Sequence, residues 1–254
     1  MSGGQRSAGK SGRRLHLAFC ASIVCELAML AGCAPRPPKP VIRAPVAAPP
    51  VIPVAPAPSA PVNKPPAAEG VSLYFPHRLG DSWQMVMKGD AESEKLDLSI
   101  ATGGPGSDPN RFYLITRRGS EVVGRDGYAA DEKGLNFVSS GVPDLTRVDP
   151  PMPILRLPVV SGDKWDWKGK FRSAAGDLDA DATFSVAGPD RIETPAGIFD
   201  AFRVEQKVVV HASPDVTTTT TMWLAPNVGL VKQVVESPDH KGEALLSAYK
   251  VQKY

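Results

Sequence analysis

Asp177, Asp179 and Asp181 stand at alternate positions, an arrangement of carboxylates that could begin a calcium site. A calcium loop of that spacing also needs a glycine to turn the chain and a bidentate glutamate to close the oxygen cage. Here Ala182 takes the place of the glycine and Gly188 that of the glutamate, so the cage is incomplete. Leu178, Ala180, Ala182 and Phe184 fill the alternate positions, and the three acids read better as the solvent face of a β-strand, where charge discourages edge pairing. The histidines after residue 69 are His77, His211 and His240, far apart and without an H-E-x-x-H pattern, which gives a transition metal little support. No G-x-S-x-G turn presents a serine nucleophile. Asp81, Asp163 and His77 remain for hydrolytic chemistry, but none has a visible partner. These residues point away from an enzyme, and they imply no cofactor and no metal.

The tryptophans offer chemistry of another kind. Trp83, Trp165, Trp167 and Trp223, with Met85, Met87 and Met222, could line a concave apolar pocket for a lipid or form a platform for sugars. They could equally be the packed core, the commoner place for such side chains.

At the N-terminus, Arg6, Lys10, Arg13 and Arg14 precede an apolar run from Leu15 to Leu30. That run is roughly 16 residues long, the length of a signal-peptide core and too short for a membrane span. Glu26 is a charge inside it, and Leu30-Ala31-Gly32-Cys33 ends it. This stretch resembles the lipobox of bacterial lipoproteins. The resemblance implies a signal peptide over 1–32 and lipidation of Cys33, whose two or three acyl chains make a stable anchor. Ala34 is not the aspartate that tends to hold such lipoproteins at the inner membrane, so the resemblance implies an outer-membrane lipoprotein facing the periplasm. Cys20, Cys25 and Cys33 are the three cysteines of the chain, which leaves the folded part without a thiol.

From Ala34 to Pro66 the chain holds 13 of its 26 prolines and no glycine, aromatic or acidic residue. Such a segment has nothing to bury and favours an extended polyproline II spacer, with a reach on the order of 100 Å at about 3.1 Å per residue. Arg36, Lys39, Arg43 and Lys64 make it basic. Eight of the 29 basic residues and one of the 27 acidic ones precede Glu69, leaving 21 and 26 beyond it. The remainder is therefore mildly acidic, and nucleic acid is not an expected partner. The domain organisation is a signal peptide over 1–32, a lipidated cysteine and disordered spacer over 33–68, and one folded domain over 69–254.

That domain shows no helix signal. It alternates with period two in short runs broken by Gly, Pro, Asn and Asp, the pattern of an antiparallel β protein. Leu96, Leu98 and Ile100 share one face, and so do Phe112, Leu114 and Thr116. Further strands are expected over 134–140, 199–211, 216–224, 230–236 and 244–251. Pro76-His77-Arg78-Leu79-Gly80-Asp81-Ser82-Trp83 and Pro158-Val159-Val160-Ser161-Gly162-Asp163-Lys164-Trp165 repeat P-x-x-x-G-D-x-W at a spacing of 82. Gly-Asp suits a tight turn, so the repeat predicts two β units, each opened by a turn and a core tryptophan. The cluster Pro150, Pro151 and Pro153 marks the seam between them. Thr194-Pro195-Ala196-Gly197 predicts a hairpin joining 182–193 to 199–211, and Ala225-Pro226-Asn227-Val228-Gly229 predicts a second tight connection.

Tyr74-Phe75-Pro76 with Gly80 and Trp83, Thr194-Pro195-Ala196-Gly197-Ile198-Phe199, and Ala225-Pro226-Asn227-Val228-Gly229-Leu230-Val231-Lys232 together resemble the bacterial lipoproteins related to the DUF3108 group. The resemblance implies an all-β fold, a curved antiparallel sheet or half-barrel, with no catalytic set to carry over. On this reading the protein is a membrane-anchored, non-enzymatic envelope module that meets another envelope protein or the cell wall. The alternative is a carrier or sensor of an apolar ligand in the concavity of the sheet.

Overall fold

The computed structural model describes residues 70–88, 94–102, 108, 110–142, 145–238 and 240–252. The expected signal peptide, lipidated Cys33 and proline-rich spacer lie outside the described residues. Twelve strands follow a one-turn helix, α1 (Val71–Tyr74). The first six are β1 (Ser82–Lys88), β2 (Glu94–Thr102), β3 (Arg111–Arg118), β4 (Glu121–Asp131), β5 (Gly134–Ser140) and β6 (Thr146–Arg156). The second six are β7 (Lys164–Ser173), β8 (Gly176–Thr194), β9 (Gly197–Val210), β10 (Val216–Ala225), β11 (Gly229–Ser237) and β12 (His240–Lys250).

Each strand pairs antiparallel with its neighbour in sequence, and β12 returns to pair with β1 over Ser82↔Lys250 to Lys88↔Glu243. The sheet is therefore all-β and antiparallel, and it is a closed barrel, more closed than a half-barrel. Closure removes both free edges, which a half-barrel would leave exposed. The alternation read from the sequence has the predicted consequence on β1, where Trp83, Met85 and Met87 point inward. Leu96, Leu98 and Ile100 do the same on β2, as do Phe112, Leu114 and Thr116 on β3. One continuous apolar core fills the barrel.

The internal repeat divides the barrel into two runs of six strands. Gly80 and Gly162 both take positive φ, 97° and 96°, immediately before β1 and β7. The backbone N–H of Asp81 donates to Arg78 O at 3.0 Å and that of Asp163 to Val160 O at 3.2 Å, so the two turns are built alike. Each aspartate carbonyl then accepts from the second strand of its own half, Asp81 O from Ile100 N and Asp163 O from Val186 N.

Two features differ from the sequence reading. The sequence gives no strand signal over the proline cluster, yet it forms part of β6, the last strand of the first half, and so lies at the seam. Proline has no N–H to give a ladder, and the β6–β7 pairing is confined to Arg147↔Arg172, Val148↔Phe171 and Asp149↔Lys170. The other difference is α1, a single turn with no periodic signature, too short for apolar spacing to announce it. It closes one end of the barrel, where Tyr74 is buried with its ring edge-on to Phe202 at 5.7 Å and Phe75 packs against Phe112 and Tyr128.

Candidate functional site

The four tryptophans do not form one platform. Trp83 lies inside the barrel at the α1 end, its indole N–H donating to Val228 O at 2.6 Å. Trp223 sits half-buried on β10, donating to Asp190 Oδ2 at 3.1 Å, with the Lys232 ammonium 5.0 Å from its ring centroid. Trp165 and Trp167 are neighbours on β7, both buried, and they stand where the β6–β7 ladder stops. Their indole N–H groups donate to Pro153 O at 2.7 Å and Pro150 O at 3.1 Å. Side-chain donors thus cross to carbonyls of β6 in a stretch that lacks paired backbone.

The packing around this seam is tight. The Trp165 ring stacks on Phe184 at 5.1 Å and 7°, directly across the β7–β8 pair, and Arg156 Cζ lies 5.2 Å from its centroid. Trp167 packs at 5.9 Å against Phe171. Gly169 is required by this arrangement, because a Cβ there would overlap the Trp167 ring and approach Asp149 O. Its need is space, not backbone conformation.

The outer face of the seam is a dense array of paired charge. Lys168, Lys170 and Arg172 project outward from β7 opposite Asp181, Asp179 and Asp177 on β8, in the register that pairs those residues. The separations are 3.4 Å for Lys168–Asp181, 2.6 Å for Lys170–Asp179 and 2.8 Å for Arg172–Asp177, and Arg172 also reaches Asp149 at 2.8 Å. The three aspartates weighed as calcium ligands are therefore each engaged by a cation. Between them lies an open depression of about 520 Å³ bordered by Asp149, Pro150, Gly169 and Ala180. Among the described residues no three His, Cys, Asp or Glu side chains are gathered to hold a metal. Asp179 is held below the usual carboxylate range by the hydrogen bond and charge of Lys170.

His211 completes the array at its upper end, Nδ1 3.3 Å from Asp215 and Nε2 3.4 Å from Asp181. Its pKa is raised above the ordinary imidazole value, first by the hydrogen bond to Asp215 and then by that to Asp181. Because the folded pKa is the higher one, the stabilisation is present below the unfolded value and is lost as pH rises through the folded value. The imidazole titration followed by NMR is expected to move toward the ordinary value in Asp215→Asn. An unchanged titration would remove Asp215 as the cause.

The other hydrolytic candidates are dispersed. Asp81 is fully buried, its carboxylate accepting the Arg78 N–H and the Gln252 N–H at 2.8 Å each. Asp163, at the matching position of the second half, is exposed. His77 stacks on Phe112 at 4.7 Å and 13°. Sequence reasoning missed the buried amides Gln206 and Gln233. Gln206 Nε2 lies 3.8 Å from Met152 Sδ, and its Oε1 has no hydrogen-bond partner among the described residues. The available signal was parity, since Gln206 continues the inward series Val204, Val208 and Val210 on β9.

The turn motifs singled out in the sequence lie toward the α1 end. Asn227 donates its N–H to Leu73 O at 2.6 Å, and a Cβ on Gly229, at φ 91°, would press on Pro76. The Thr194 hydroxyl donates to Gly197 O at 3.1 Å and accepts the Ala196 N–H, forming the tip of the β8–β9 hairpin. That tip reaches across to β12, where Leu246 O accepts the same Ala196 N–H at 3.1 Å. The motif residues thus fix turns and the barrel end.

No curated protein matches the chain in sequence. Among solved structures, a lipoprotein of Parabacteroides distasonis ATCC 8503 is similar with a TM-score of 0.45 and 14% identity, covering 70% of this chain and 98% of its own. An exported protein with a YmcC-like fold from Bacteroides fragilis NCTC 9343 gives 0.44 and 15%, covering 70% and 99%. The hypothetical lipoprotein YmcC from Escherichia coli K12 gives 0.40 and 11%, covering 69% and 87%. Residues 184–249, from within β8 to within β12 and including the T-P-A-G and A-P-N-V-G turns, match the DUF3108-like family.

Proposed function

We propose that this protein is a lipid-anchored module of the bacterial cell envelope, on the periplasmic side of the outer membrane, that acts by non-enzymatic interaction through the outside of its barrel. The observation that carries the reading is the filled interior. Met85, Leu96, Leu135, Phe137, Met152, Val204, Val210, Val231, Ala244 and Leu246 have no exposed surface, so side chains occupy the space a carrier would give to its cargo. The lipobox-like Leu30-Ala31-Gly32-Cys33 supports the anchor, and the proline-rich stretch after it supports a spacer that sets how far the barrel can travel. The engagement of Asp81, Asp177, Asp179 and Asp181 by hydrogen bonds or cations supports a role without catalysis.

Native mass spectrometry of the mature lipoprotein, released from detergent micelles in the gas phase, tests this reading against the carrier alternative. The expected mass is that of the lipidated chain alone. A further lipid retained in one-to-one ratio would overturn the interaction reading and favour the carrier.

A further inference from the structure

Five large apolar side chains are exposed on the described residues: Leu79, Leu145, Val160, Ile198 and Tyr249. The antiparallel order of the strands places four of them at one end of the barrel. Leu79 and Val160 lie in the turns that precede β1 and β7, Ile198 begins β9 and Tyr249 nearly ends β12. Leu145 alone is at the opposite end, before β6. Contacts bring the segments that carry three of the four together. Phe199, the neighbour of Ile198 on β9, meets Tyr249 edge-on at 6.1 Å, and Gln252, two residues past β12, donates to the backbone carbonyl of Leu79 at 2.7 Å. Leu79 and Ile198 are the most exposed of the set, at 66% and 56%. Isolated apolar residues on a surface need no explanation, but their gathering at one end does.

The same end is where the chain N-terminal to Gly70 joins the barrel. There α1 is held by the Asn227 N–H to Leu73 O bond, so the described chain begins at the same end as the apolar rim. We propose that this rim docks on the phospholipid bilayer that holds the Cys33 anchor, an inference that rests on the lipoprotein reading. A leash of a few tens of residues keeps the barrel at high effective concentration near the membrane, so a patch too small to bind membranes from solution suffices once tethered. Leu79 and Ile198 enter the acyl boundary, while Tyr249 sits at headgroup level, where an aromatic ring with a polar tip is favoured. The outer face of β7 and β8 then projects from the side of the docked barrel and stays open to a partner.

The test uses the lipidated mature protein in vesicles of phosphatidylethanolamine and phosphatidylglycerol with brominated acyl chains. Single cysteines replace Ile198, Gln252 or Leu145, one per protein, and carry a small fluorophore. Quenching is expected at 198 and 252 and not at 145, unchanged when salt is raised. Adding Leu79→Asp to the Ile198→Cys protein should bring quenching at 198 down toward the level at 145. If quenching persists there, the dye alone is inserting and the docking proposal fails. Equal absence of quenching at all three positions, in protein that still floats with the vesicles, defeats docking and leaves the anchor intact. Protein that does not float with the vesicles defeats the anchor reading and the docking with it.

Discussion

Trp165→Ala is expected to destabilise the protein by about 3 to 5 kcal/mol, the usual cost of truncating a buried tryptophan. Three losses coincide at this position. The ring leaves a cavity between β7 and β8 where it stacked on Phe184, and a buried aromatic pair is broken. Its N–H no longer meets Pro153 O, in a stretch where β6 and β7 have no paired backbone beyond Asp149↔Lys170. The seam is then held by the three backbone pairs up to Asp149↔Lys170, the neighbouring Trp167–Pro150 bond and the Arg172–Asp149 ion pair. That ion pair is exposed and contributes about 0 to 1 kcal/mol. Trp165→Phe separates the terms, because it keeps most of the stacking and gives up the N–H, a change of about 1 to 2 kcal/mol. Urea unfolding followed by circular dichroism measures both, and hydrogen exchange should show β6 and β7 losing protection before the rest of the sheet. A Trp165→Ala protein that unfolds at the wild-type midpoint would mean that the indole is not structural.

Much of this architecture was legible because period-two alternation is a local signal. A strand such as β1 states its inward face through Trp83, Met85 and Met87 without reference to its neighbours. The turns were equally local, since Gly80, Gly162 and Gly197 mark positive φ by residue type. Closure was not legible, because β1 meets β12 across the whole domain and no spacing records that pairing. The proline cluster marked the seam without showing that a strand runs through it, for a related reason. Pro150 and Pro153 bring no N–H to a ladder, yet their carbonyls remain good acceptors, and the donors are indoles on the next strand. Of the candidate site, residue types and parity were visible, and the hydrogen-bond partners were not. Trp83, Trp165 and Trp167 share an inward parity, whereas Trp223 alternates with the buried Met222 and Leu224, packs against the core from the other face and donates to Asp190 on β8.

Asp81→Ala is expected to cost about 3 kcal/mol, and Asp163→Ala less than about 0.5 kcal/mol, although the two aspartates are equivalent in the repeat. The backbone turns match, with the same hydrogen bond three residues back and the same positive φ at the preceding glycine. The side chains do not. Asp81 is fully buried and ties two separate backbone segments together through the N–H groups of Arg78 and Gln252, so its carboxylate holds the C-terminal residues against the start of β1. Removing it leaves two donors at a closed barrel end with a lost charged acceptor, and each orphaned donor costs about 1 to 3 kcal/mol. Asp163 precedes β7 and is exposed, and among the described residues no segment returns to it as Gln252 returns to Asp81. Asp81→Asn should fall between the two, since an amide keeps one acceptor oxygen and sets an NH2 against the second donor. Thermal and urea unfolding of the three variants would decide the matter. Equal losses at Asp81 and Asp163 would show that the shared turn, and not the buried carboxylate, carries the stabilisation.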